Sequence, residues 1–251
     1  MRGTLTTAIC MMAVLSVISC RKIENTTVEP KMEMTLSSVS STGVSVDVAL
    51  SEGAVAYRMK VVPSSSFDSK AMETELSAGA GYTSETRRIE RLHGCKDFVI
   101  AARPFDGEGR LGAMVFEKFT LGDFSLEMTL YSPGDDANAE LNRYNTLNVI
   151  AISNGIAAKG RFALALTDQW NLLKDSKGLK AAAEEVFINN SIDMTRQQLE
   201  EMADPDPLKR DLMYFNDLTD GTRYTLVVCL EDLDGERYYY SFNGETKPKN
   251  P

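Results

Sequence analysis

From residue 32 onward, apolar side chains alternate with polar ones in short runs. Met32, Met34 and Leu36 form the first run, Val44, Val46, Val48 and Leu50 the second, and Tyr57, Met59 and Val61 the third, with Ser-, Gly- and Glu-rich breaks between them. A period of two places the apolar members of a run on one face of an extended chain, so each run predicts a strand of antiparallel sheet. Phe98 to Ala102 and Met114 to Phe116 predict two more. Between them Asp106-Gly107-Glu108-Gly109 supplies residues that tolerate the positive φ angles of a hairpin turn. This set of strands ends near Leu121.

The pattern then restarts with Phe124, Leu126, Met128 and Leu130, followed by Leu147, Val149 and Ala151, and by Phe162, Leu164 and Leu166. Its closing hairpin repeats as well. Leu218 stands six residues before Tyr224, as Leu92 stands six before Phe98, and each strand leads to an Asp-Gly turn, at Asp106 and at Asp234. The two leucines are 126 residues apart, which points to an internal duplication with modules at 32–121 and 124–247.

The second copy carries a helical insert at 168–217, and the first shows no feature of that size. Leu179, Ala182, Ala183, Val186 and Phe187 recur at helical spacing. Thr195 with Gln198 three residues later forms a capping box, and Met194 with Leu199 a hydrophobic staple, so a helix is predicted from Arg196 to Met202. Asp206-Pro207 begins a segment reaching Phe215 that reads equally as a helix or as a strand.

Ahead of the modules, Met1-Arg2-Gly3 gives a short positive start and Leu5 to Ile18 an apolar stretch, ending in Ser19 before Cys20. That is the layout of a secretory signal over residues 1–19. Fourteen helical residues reach about 21 Å, short of the roughly 30 Å hydrocarbon core, so a membrane-spanning anchor is the weaker reading. Residues 20–31 are polar and contain Pro30, which reads as a tether.

Composition narrows the function. The 251 residues are 43% hydrophobic and 25% charged, which is globular, and the net charge of −9 opposes nucleic-acid binding. One His and four Cys leave too few ligands for a zinc site, and no cofactor motif is present.

The run Val17-Ile18-Ser19-Cys20 resembles the lipobox of bacterial lipoproteins. The resemblance implies a chain that begins at Cys20, acylated there and held on the outer membrane through lipid, on either face of it. The stretch from Leu218 to Val228, Leu-Thr-Asp-Gly-Thr-Arg-Tyr-Thr-Leu-Val-Val, is similar to the passage between strands E and F of fibronectin type III domains. There the Leu plugs the core and the Tyr makes a corner contact; Phe98 lacks the hydroxyl for it. Val55 to Ser64, followed by a helix-prone stretch, is similar to the fibronectin-like repeats of Bacteroidota lipoproteins, in which a short helical segment replaces the middle strands. The resemblance implies a mostly β fold of two tandem fibronectin type III-like, immunoglobulin-like sandwiches.

Few residues stand out as chemistry. Asp135, Asp136, Asn138 and Glu140 crowd one loop and Glu231, Asp232, Asp234 and Glu236 another, without the spacing of a calcium loop, so both read as solvated turns. Tyr238, Tyr239 and Tyr240 on one strand, and Trp170 at the start of the insert, are the candidate contacts for a sugar face or a protein partner. Alternation sends Tyr238 and Tyr240 to one face and Tyr239 to the other. His93 beside Gly94 reads as a turn residue, and Cys95 and Cys229, in different modules, as separate thiols. The expected function is a non-catalytic envelope lipoprotein that binds or spaces at the cell surface. A glycan-binding accessory of an uptake system is the second reading and a hydrolase the third. A partner is expected near Trp170 and the insert.

Overall fold

The computed structural model describes residues 28–51, 53–130, 145–210 and 212–248. Cys20, the signal segment and the acidic loop with Asp135, Asp136, Asn138 and Glu140 lie outside the described residues. The first module runs β1 (Met32–Val39), β2 (Gly43–Leu50), β3 (Ala56–Pro63), α1 (Ser69–Glu75), β4 (Thr86–Glu90), β5 (Asp97–Phe105) and β6 (Val115–Thr120). Its strands pair antiparallel in two sheets, β1-β2-β4 and β3-β5-β6. The alternating residues meet between them: Val44, Val46 and Val48 face Tyr57, Phe98, Ile100 and Ala102 in one buried cluster.

The second module repeats this plan with β7 (Leu126–Leu130), β8 (Leu147–Ser153), β9 (Lys159–Leu166), α2 (Thr167–Lys177), α3 (Leu179–Asn190), β10 (Ile192–Asp193), α4 (Arg196–Met202), β11 (Leu212–Phe215), β12 (Arg223–Glu231) and β13 (Arg237–Glu245). One sheet is β7-β8-β11 and the other β10-β9-β12-β13. Apart from the short β10, the first, second and fourth strands of each module share one sheet and the third, fifth and sixth the other. The fold is thus mostly β, two tandem sandwiches of the fibronectin type III-like, immunoglobulin-like kind.

One expectation about the insert needs correction. The segment ending at Phe215 is the strand β11, paired with β8 from Leu212↔Ile150 to Phe215↔Leu147, so helix does not fill 168–217. Helical geometry at Pro207 lasts a single 3-10 turn, Pro207–Lys209, because pairing with β8 claims the chain that follows. The helix-prone stretch after Ser64 is α1, so the first module also carries a helix at this point, as expected. In both copies the third strand is followed by helix on the outer face of its own sheet. Met72 of α1 and Leu76 at its C-terminal cap close over Ala101, while Trp170, Ala182, Ala183 and Phe187 of α2 and α3 close over Ala163, Val227 and Cys229. β5 and β12 are therefore buried on both faces, which is why Phe98 to Ala102 and Leu226 to Leu230 read as unbroken apolar runs.

What the first copy lacks is α4. Thr195 accepts from Gln198 N and Gln198 Oε1 from Thr195 N, closing the capping box. Met194, Leu199 and Met202 enter the inner core of the second sandwich. Room for them comes from Gly160, where a Cβ would lie 2.6 Å from Met194 Sδ and 2.8 Å from a methyl of Leu199.

The corner contact is present in the second module, where Thr219 N donates to Tyr224 Oη at 2.9 Å. Its partner Leu218 is only half-buried, with its N–H on Asn145 O, and Leu92 is half-buried against the first core; neither is the fully enclosed plug that the resemblance implies. Phe98, without a hydroxyl, stacks on Phe119 at 5.8 Å instead.

The modules touch through the turns at their facing ends. Ser41 N donates to Asn154 O at 3.2 Å, Ile156 N to Thr42 Oγ1 at 2.9 Å and Gly94 N to Asp234 Oδ1 at 2.7 Å. Gly155 permits this approach, since a Cβ there would stand 2.1 Å from Ser41 Oγ.

Candidate functional site

Of the residues singled out as contacts, Trp170 and Tyr239 lie on the outer face of the β9-β12-β13 sheet, beneath and beside the helical hairpin α2–α3, and Tyr238 and Tyr240 on its inner face. Trp170 is not available to a ligand. It is 1% exposed, with its ring packed among Ala163, Ala182, Ala183 and Phe187, and the apolar spacing of α3 supplies the other side of that sandwich. The expectation that a partner meets the indole is corrected for that reason.

The three tyrosines divide as alternation requires. Tyr238 and Tyr240 lean into the inner core, where Tyr238 packs on Phe124 at 5.3 Å, and Tyr239 lies on the outer side against the insert. All are half-buried, and each hydroxyl has an internal partner. Tyr238 Oη donates to Glu236 Oε2 at 3.0 Å and approaches Asp232 Oδ2 at 3.2 Å, Tyr239 Oη donates to Glu184 Oε1 at 2.6 Å, and Tyr240 Oη to Phe124 O at 3.3 Å. Burial, with the Glu184 carboxylate beside it, pushes the Tyr239 phenol up to about 12.

Glu184 on α3 is the centre of a charged network. Besides Tyr239 it accepts from Arg161 Nη2 at 2.6 Å, and Arg237 Nη1 stands 3.9 Å away. The Tyr239 hydrogen bond first, and then the Arg161 charge, hold its carboxyl below the usual range against the opposing effect of burial. Arg161 also lies over the Phe187 ring at 4.5 Å. On the same sheet Glu231 takes Lys159 at 2.9 Å and Arg237 at 3.0 Å, and those two cations lower its carboxyl as well. The cleft between them, about 190 Å³, is lined by Lys159, Gly160, Arg161, Asp193, Cys229, Glu231 and Arg237. Each of its three cations is paired with Glu184 or Glu231, and the Glu184 pairs tie the insert to the sheet. The Cys229 thiol beside this cleft is buried, and burial pushes its pKa up.

The acidic turn at Glu231, Asp232, Asp234 and Glu236 is similarly engaged. Asp232 Oδ1 accepts from Asp234 N and Glu236 N, both at 2.9 Å, and Asp234 takes Gly94 N across the junction. No group of three or more metal-ligating side chains is found among the described residues. His93 is exposed, with Nδ1 3.8 Å from Asp234 Oδ1, and Cys95 is a free, half-buried thiol at the same junction. The junction residues Thr42, Arg88, Arg91, Asn154 and Glu200 carry no sequence motif; the Asn154-Gly155 pair is a local signal of a tight approach.

No family model matches the chain, and no curated protein matches it in sequence. Among solved structures it is similar to a two-domain fibronectin type III segment of chicken tenascin, with 12% identity over 87% of this chain and 100% of that one, at a TM-score of 0.30. It is also similar to the FN1–FN3 domains of chicken CNTN1, with 10% identity over 88% of this chain and 67% of that one, at a TM-score of 0.30. The strand order described above, and not these likenesses, defines the class of fold.

Proposed function

We propose that this chain is a non-catalytic envelope lipoprotein that acts as a surface spacer or binding module, anchored through lipid at Cys20. One observation carries the spacer reading: the turns at the facing ends of the two sandwiches are used on each other. Loops at sandwich ends are where ligands are usually held. Here the β8–β9 turn meets the β1–β2 turn, and the β12–β13 turn meets the one before β5. The aromatic residues singled out for the glycan reading are engaged within the fold, with Trp170 enclosed and the three tyrosine hydroxyls bonded internally.

The anchor follows from the sequence, in which Cys20 ends a signal-like segment, and from acyl chains that contribute about 0.8 kcal/mol per buried methylene. Among the described residues no helix is long and apolar enough to cross a membrane. The test is Cys20→Ala followed by membrane fractionation in the native host. The variant is expected in the soluble fraction; a variant that pellets with membranes as fully as the wild type removes the lipoprotein reading.

A further inference from the structure

We propose that α4 is a clasp between the modules, an element added to the second sandwich that fixes the first in one orientation. It rests on the spacer reading for its purpose and on its own contacts for its geometry. One side of α4 belongs to the second module: Leu199 and Met202 are buried in that core, and the capping box at Thr195 fixes the start of the helix. Its other side faces β4 of the first. Arg88 Nη2 donates to Ala203 O, just past the last turn of α4, at 3.1 Å. Arg91 Nη2 donates to Glu200 Oε1 at 2.7 Å, and Arg196 Nε holds that same oxygen at 2.9 Å from within α4.

Each arginine is itself positioned. Glu90 holds Arg88 at 2.7 Å. Arg91 has φ 62, a conformation that a residue other than glycine keeps only where its surroundings fix it. The clasp completes a set of contacts that would otherwise leave the modules free to swing. The β1–β2 turn is tied to Asn154 and Ile156, and Gly94 to Asp234; α4 adds a third connection, made by a different element of the second module. It is also the one helix without a counterpart in the first copy, whose α1 matches the α2–α3 hairpin. The helix added to the repeated plan is thus engaged at the joint.

The experiment is ¹⁵N relaxation on the protein carrying Cys20→Ala, which keeps it free of lipid, with and without Arg88→Ala and Arg91→Ala together. Without the arginine changes, both modules are expected to tumble with one rotational correlation time. With them, each module should acquire its own, shorter time while the chemical shifts of both cores stay in place. Both arginines are exposed, so neither core depends on them. Should the double variant nonetheless unfold its module, Glu200→Ala removes the clasp from the other side and is read in the same way. Separate correlation times in the parent, or one shared time retained in the folded variants, overturns the clasp. Neither result bears on anchoring, which fractionation reads independently.

Discussion

Asp106 and Asp232 lie 126 residues apart and build the same turn. Oδ1 of Asp106 accepts from Glu108 N and Arg110 N, and Oδ1 of Asp232 from Asp234 N and Glu236 N, all at 2.9 Å. Gly109 and Gly235, also 126 apart, have φ 83 and 85 and donate to the main-chain oxygens of Asp106 and Asp232. The equivalent of Asp106 is therefore Asp232 and not Asp234, which the Asp-Gly dipeptide suggests from sequence. That assignment agrees with the offset between Leu92 and Leu218 and between β5 and β12. Asp234 is left to serve the junction.

The Asp106 turn makes the first module acid-sensitive. Burial works against its charge, but Arg110 and the main-chain N–H groups outweigh it and lower the carboxyl below its ordinary value of 3.8. A carboxyl lowered by folding contributes stability above its unfolded pKa and loses it as pH falls through the folded value. Unfolding midpoints measured between pH 5 and pH 2 should fall less steeply with acid in Asp106→Asn than in the wild type. Equal slopes count against the turn as a stabilising element.

Tyr224→Phe tests the corner. It removes the acceptor for Thr219 N, and a lost hydrogen bond of this kind costs about 1 to 2 kcal/mol. Urea unfolding should show that loss in the second module while the ring packing survives. An unchanged midpoint means the contact does not hold the loop.

Trp170→Ala should act on stability. Emptying the space under the α2–α3 hairpin costs about 3 to 5 kcal/mol, the range for a large aromatic removed from a packed core. Calorimetry is the check, and a loss below about 1 kcal/mol contradicts the packing role.

The two thiols should differ in reactivity. Cys229 is buried under the insert with its pKa raised by burial, so it should alkylate slowly in the folded protein and quickly once unfolded. Peptide mass spectrometry after timed alkylation resolves it from Cys95. Rapid native labelling of Cys229 means the hairpin opens readily.

Much of the fold is legible because period-two runs such as Val44 to Leu50 have one buried face each, and one-sided burial leaves its mark in a single sequence. The α4 boundaries were legible too, since Thr195 and Gln198 are a local device. β11 was not. Leu212 to Phe215 is four residues long, and its pairing with β8 is decided by chain about 60 residues away. Trp170 misled for a related reason: an aromatic next to a loop looks alike whether a ligand or α3 covers it. The junction was hidden because its polar residues, Arg91 and Glu200 among them, are of types that cover any surface, and their meaning lies in which turns face each other.

Small-angle X-ray scattering on the Cys20→Ala protein tests most directly whether the two sandwiches behave as one rigid spacer. The joint described here predicts a curve over the modules that a single conformation reproduces, because the hydrogen bonds at Ser41, Gly94 and Ile156 and the α4 contacts with Arg88 and Arg91 act together. A curve that only a mixture of inter-module orientations can fit would contradict it.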